Sequence, residues 1–100
     1  MEREILMFYG QECPNAVLMM PAVMGLNMSG KYKIKLNEIW HNQGGKKEFE
    51  KYKTLIKNST GHEDAVPVFL EVKNKKAILA NDFEALMAWL EGPEWWKKYM

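Results

Sequence analysis

Cys13 is the only cysteine in the chain, so it has no internal disulfide partner and can act only as a thiol. It follows the apolar run Ile5-Leu6-Met7-Phe8-Tyr9 and the turn residue Gly10, and it stands directly before Pro14. Proline suits the first position of a helix, where its missing N–H would be unpaired in any case. Cys13 is therefore expected at a helix start, where first-turn N–H groups and the helix dipole favour a thiolate, the nucleophilic form of cysteine. Glu12 beside it sets a negative charge against that thiolate. The second candidate is Val66-Pro67, at the opening of the run Val66 to Val72. Proline can open a strand without breaking a ladder bond. As a trans bond it would do only that; as a cis bond facing Cys13, it would leave the Val66 backbone free to pair with an extended substrate. His41 and His62 lie far apart with no Cys/His cluster, so both read as surface histidines and no metal site is expected.

The elements that must position these residues follow from hydrophobic spacing. Glu4 to Tyr9 reads as a buried strand ended by Gly10. A helix from Pro14 to about Asn27 follows, with Ala16, Val17, Met20, Val23, Met24 and Met28 as its core stripe and Pro21 kinking it. Lys31 to Ile39 alternates, Tyr32, Ile34 and Leu36 against Lys31, Lys33 and Lys35, as a half-buried strand does. Asn42 to Gly45 reads as a loop and Lys46 to Lys57 as a helix carrying Phe49, Tyr52, Leu55 and Ile56. Asn58 to Ala65 is polar and turn-rich. Val66 to Val72 and Lys76 to Leu79 form a hairpin around Asn74. Asn81 or Asp82 caps a last helix carrying Phe83, Leu86, Met87 and Leu90, which Gly92-Pro93 ends. The order βαβαββα predicts an α/β domain: a four-stranded mixed sheet flanked by three helices, the first strand pair parallel and the last antiparallel. The domain is expected over residues 1–92, with residues 93–100 an aromatic tail packed on it.

Composition bounds the function. With 100 residues, 47% hydrophobic and 27% charged, the chain can build one core. A net charge of +1, from 14 basic and 13 acidic residues, gives no footprint for nucleic acid or an anionic membrane. Paired lysines such as Lys46-Lys47, Lys75-Lys76 and Lys97-Lys98 read as solvated surface. The N-terminal apolar run is too short for a signal core or a membrane span, and with one cysteine the expected location is cytoplasmic. Trp95-Trp96 reads as a cap with one tryptophan against the domain.

Taken together, strand, Cys13-Pro14, a helix holding Pro21, strand, helix, Val66-Pro67, hairpin and final helix resemble the thioredoxin superfamily over nearly the whole chain. Cys13-Pro14-Asn15-Ala16 resembles the Cys-Pro-x-Cys motif of glutaredoxins. Val66-Pro67 and Ala80-Asn81-Asp82 are similar to their Thr-Val-Pro and Gly-Gly-x-Asp segments, and Lys47-Glu48-Phe49-Glu50-Lys51-Tyr52 to a prokaryotic glutaredoxin-related group. The resemblance implies a thioredoxin-like fold with Cys13 as nucleophile toward a mixed or glutathione disulfide. It implies that Pro14 and Pro67 shape the site, that Val66 binds ligand through its backbone, and that Asn81 and Asp82 receive the glutamyl end of glutathione. Ala16 replaces the second cysteine, so only a monothiol route remains. Ala65 stands for the usual threonine, and Ala80-Asn81 for glycine and its neighbour. No resident cofactor is implied; glutathione or another low-molecular-weight thiol would be co-substrate, and the partners a thiol, a protein disulfide or a bound protein. A redox-inactive protein-binding module of the same fold is the alternative that Ala16 and Glu12 leave open.

Overall fold

The computed structural model describes residues 3–99; Met100, part of the expected tail, lies outside them. Among the described residues the order is β1 (Arg3–Tyr9), α1 (Pro14–Met28), β2 (Tyr32–Glu38), α2 (Gln43–Lys51), α3 (Lys53–Thr60), β3 (Val68–Glu71), β4 (Lys76–Leu79) and α4 (Phe83–Glu91), followed by a 3₁₀ turn at Trp95–Tyr99. The sheet order is β2-β1-β3-β4. β1 and β2 run parallel, Arg3 opposite Tyr32 through Tyr9 opposite Glu38, as a helical crossover requires. β3 runs antiparallel to both β1 and β4. The α/β class, the mixed four-stranded sheet and the pairing directions are those the sequence predicts.

Alternation along β1 assigns its side chains to two cores. Ile5 and Met7 pack with Ala16, Met19, Val23, Leu86, Met87 and Leu90, so α1 and α4 cover one face. Phe8 packs with Phe49, Ile56, Val68 and Leu70 under α2 and α3, its ring edge-on to Phe49 at 5.3 Å between centroids. Tyr9 ends β1, and its carbonyl accepts the Ile39 N–H at 2.8 Å. The chains leaving β1 and β2 therefore emerge side by side at the carboxyl end of the parallel pair.

Four expectations are corrected. The single helix over Lys46 to Lys57 is two, broken at Tyr52 (φ −107°, ψ 10°), so four α-helices replace three. The first of them begins at Gln43, because the Asn42 side chain accepts from the Gly45 N–H at 3.0 Å and caps it. A Cβ on Gly45 would collide with the Glu38 carbonyl; the Gly44-Gly45 pair read as loop is a first turn packed against β2. The third strand spans Val68 to Glu71, not Val66 to Val72: Pro67 has no N–H to give the ladder, and the Val72 carbonyl is taken by the Lys75 N–H of the turn at 3.1 Å. In α1 the buried residues are Ala16, Met19 and Val23. Val17, Met24 and Met28, expected in the core, are 57%, 49% and 87% exposed. That helix is apolar on every side, so spacing alone could not choose its inner face.

Candidate functional site

Cys13 is the N-cap of α1, with extended backbone (φ −69°, ψ 115°) and Pro14 at the first helical position. Its N–H donates to the Gly10 carbonyl and its carbonyl accepts from the Val17 N–H, both at 3.0 Å. The side chain makes no capping hydrogen bond to the first turn. The thiol instead points to the Val66 carbonyl, Sγ to O 3.9 Å, and the residue is 6% exposed. The placement at the helix start is as expected; the expected N–H contacts to sulfur are not formed in this geometry.

Four of the predicted site residues meet here: Cys13, Pro14, Val66 and Pro67. The Val66-Pro67 bond is cis, Pro67 is buried, and its carbonyl accepts from the Ala80 N–H at 3.3 Å. Asn81 and Asp82 sit at the start of α4, with Asn81 tied to α1: the Asn15 side-chain amide donates to Asn81 Oδ1 at 3.4 Å. Asp82 caps α4, accepting from the Ala85 N–H at 2.8 Å, so one of its carboxylate oxygens already serves its own helix.

Three residues that spacing did not single out complete this end of the sheet. Glu38, the last residue of β2, accepts backbone N–H groups from both loops: Gln11 at 2.8 Å, Trp40 at 3.1 Å, His41 at 2.7 Å and Asn42 at 3.0 Å. Desolvation pushes its carboxyl up, and the N–H groups of His41, Gln11, Trp40 and Asn42 outweigh this and hold it below the usual range. Trp40, 44% exposed, lays its indole where a Cβ on Gly10 would fall. His41 Nε2 lies 2.7 Å from both Glu12 oxygens. The hydrogen bond to Glu12, then its charge, raises the His41 pKa above the ordinary value. When His41 is protonated, the negative charge beside Cys13 has a cationic partner. The parallel pairing of β1 and β2 was the available signal, because it brings Gly10–Cys13 and Ile39–Asn42 to one edge, where open α/β sheets bind ligands.

The arrangement holds one buried thiol at a strand-to-helix junction, beside two loops joined to each other through Glu38. Two surface cavities, about 580 Å³ between Arg3, Glu71 and Asn74 and about 320 Å³ between Thr60, His62 and Ile78, are not lined by Cys13. Among the described residues no three His, Cys, Asp or Glu side chains are grouped to hold a metal ion, and no helix is long and apolar enough to cross a membrane. Comparison of the chain with protein-family models, with curated proteins and with solved structures gives no match.

Proposed function

We propose that this chain is a glutaredoxin-like protein of the thioredoxin superfamily, acting as a monothiol thiol–disulfide oxidoreductase through Cys13. The observation that carries this reading is the position of Cys13: N-cap of α1, after β1, with Sγ 3.9 Å from the Val66 carbonyl. The sheet order and strand directions agree with the element order on which the resemblance rests. In the first step the Cys13 thiolate attacks the glutathionyl sulfur of a mixed disulfide. A Cys13–glutathione disulfide forms, the original S–S bond breaks, and the leaving thiolate takes up a proton. Glutathione as thiolate then attacks the bound glutathionyl sulfur, which frees Cys13 and yields glutathione disulfide. One free glutathione is oxidised for each mixed disulfide reduced, the other half of the glutathione disulfide coming from the substrate, and no second protein thiol is needed, as Ala16 requires. Val66 offers backbone groups to the peptide portion, and Asn81 stands beside Asn15 on the same edge.

Incubation with oxidised glutathione followed by intact mass measurement tests this. One glutathione added to the wild type and none to Cys13→Ser is the expected result; an unmodified folded wild type overturns it. The burial of Cys13, 6% exposed, favours a second reading, a redox-inactive module that binds a protein at the same edge. Under that reading Cys13→Ser retains full cellular function.

A further inference from the structure

Helix α1 has 15 residues, Pro14 to Met28, and none carries an ionisable side chain. Its inner side packs on the sheet. On its outer side Val17, Pro21, Met24 and Met28 recur at i, i+4, i+7 and i+11, which is one face of a helix, with Leu18 and Gly25 along one flank. Val17, Leu18, Met24 and Met28 are 57%, 79%, 49% and 87% exposed. A surface helix ordinarily turns charged and polar residues to this side. Among the described residues, nothing beyond its chain neighbours and its own helix backbone stands within 4 Å of where a Gly25 Cβ would lie. The fold therefore has no need of glycine there, although glycine weakens a helix; a second backbone passing close to it would supply the need.

We propose that this face binds a second copy of the chain, α1 packing antiparallel on α1 across a two-fold axis between Ala22 and Val23. A two-fold contact requires that if one residue meets another, the reverse contact exists as well. The stripe has that symmetry. Val17 and Met28 lie equally far from the midpoint, as do Pro21 and Met24, so each meets the other across the axis. Leu18 and Gly25 share a flank, which the two-fold keeps on one side, and Leu18 comes down beside the second copy's Gly25. Self-pairing brings no like charges together on α1, and a net charge of +1 opposes it little. Flexible methionines accommodate an imperfect fit. The stripe is about 17 Å long and covers less than the roughly 800 Å² per partner of a standard interface, so the dimer is weak and concentration-dependent.

Sedimentation velocity between about 10 µM and about 1 mM, a range suited to a small interface, tests the pairing. A monomer–dimer equilibrium is expected, unchanged in Cys13→Ser, so its failure and that of the redox reading are separate. Met24 of one copy lies about 4.5 Å along the axis from Met24 of the other. Met24→Lys and Met24→Glu should each weaken dimerisation at least about tenfold with unchanged circular dichroism, and an equimolar mixture of the two should recover it. A chain that stays monomeric throughout, including one that instead binds zwitterionic vesicles, overturns the proposal. So does a dimer that neither substitution weakens, or a mixture that fails to recover.

Discussion

The two ends of β1 hold their polar groups in different ways. At its amino end charges are drawn in and matched. The Glu71 side chain is 6% exposed and accepts Arg3 Nε at 2.9 Å, Arg3 Nη2 at 3.0 Å and Asn74 Nδ2 at 2.9 Å. Arg3 Nη1 donates to the Leu90 carbonyl at 2.6 Å. Beside them the Glu91 side chain, 5% exposed, accepts from Tyr32 Oη at 2.6 Å, Lys98 Nζ at 3.0 Å and Lys31 Nζ at 3.4 Å. At the carboxyl end, Glu12 and His41 are hydrogen-bonded, an ion pair only when His41 is protonated, with both side chains 58% exposed, and Glu38 spends its oxygens on loop N–H groups. Charge ties elements together at the first end; at the second it ties two loops to each other. The chain thus concentrates its electrostatic stabilisation away from Cys13 and leaves the loops at the thiol's end of the sheet the more easily opened part.

Arg3→Ala strikes the first end hardest. It strips a mostly buried carboxylate of its bidentate partner and should lower stability by about 2–3 kcal/mol, under the full cost of a buried pair because Arg3 is partly exposed. Cys13→Ala at the other end removes one small buried side chain and should cost about 1 kcal/mol. Urea denaturation of both variants measures the contrast, and equal losses would dissolve it.

Glu91 gives the contrast a pH dependence. Its hydrogen bond from Tyr32, followed by that from Lys98, holds its carboxyl at about 2 rather than 4.5. A carboxyl depressed on folding contributes stability that is fully present above its unfolded pKa and is lost as pH falls through the folded one. The window is therefore pH 4.5 down to about 2. Glu91→Gln should cost about 1–2 kcal/mol at pH 7, after allowance for solvent screening by its exposed lysine partners, and its deficit should vanish toward pH 2. Melting temperatures of both proteins across this range would show it; a pH-independent deficit would remove Glu91 from the electrostatic account.

Glu38→Ala should cost about 1 kcal/mol, because the N–H groups it frees can turn to water. Its larger effect is on access. With Gln11 and Trp40–Asn42 untied, Cys13 should react severalfold faster with iodoacetamide at fixed pH, whereas Arg3→Ala should change that rate only in proportion to global unfolding. Equal rates in wild type and Glu38→Ala would mean that these loops do not cover the thiol.

The sequence made legible what depends on spacing and on local backbone chemistry. Strict alternation at Lys31–Ile39, the continuous run before Gly10, Pro14 after Cys13 and Asp82 before Phe83 each name an element or a boundary by a local rule. The features that escaped depend on contacts between distant segments. Glu38 reads as one more polar residue in an alternating strand, and His41 as a lone histidine; their partners Gln11 and Glu12 are 27 and 29 residues away. The break at Tyr52 escaped because Phe49, Tyr52, Leu55 and Ile56 keep helical spacing across it. In α1 two apolar faces compete, and only the sheet decides which is covered.

The smallest effect expected is at the Glu12–His41 pair, and it bears on Cys13 most directly. The hydrogen bond to Glu12 raises the His41 pKa above 6.5. A histidine raised on folding contributes stability that is present below its unfolded pKa and is lost as pH rises through the folded value. With both side chains in solvent this contribution is small and salt-sensitive. The ring resonances of His41 in a proton NMR titration should therefore show a midpoint above the ordinary histidine value of 6.5. Glu12→Gln should return the midpoint toward the ordinary value, and added salt should lower it in the wild type but not in the variant. Below that midpoint the Glu12 charge is offset by imidazolium; above it, it stands alone beside the Cys13 loop. If Glu12 bears on the thiol, the pH dependence of Cys13 alkylation should differ between the wild type and His41→Ala only below the midpoint. Identical profiles would leave the pair a local tie between two loops, with no influence on the sulfur.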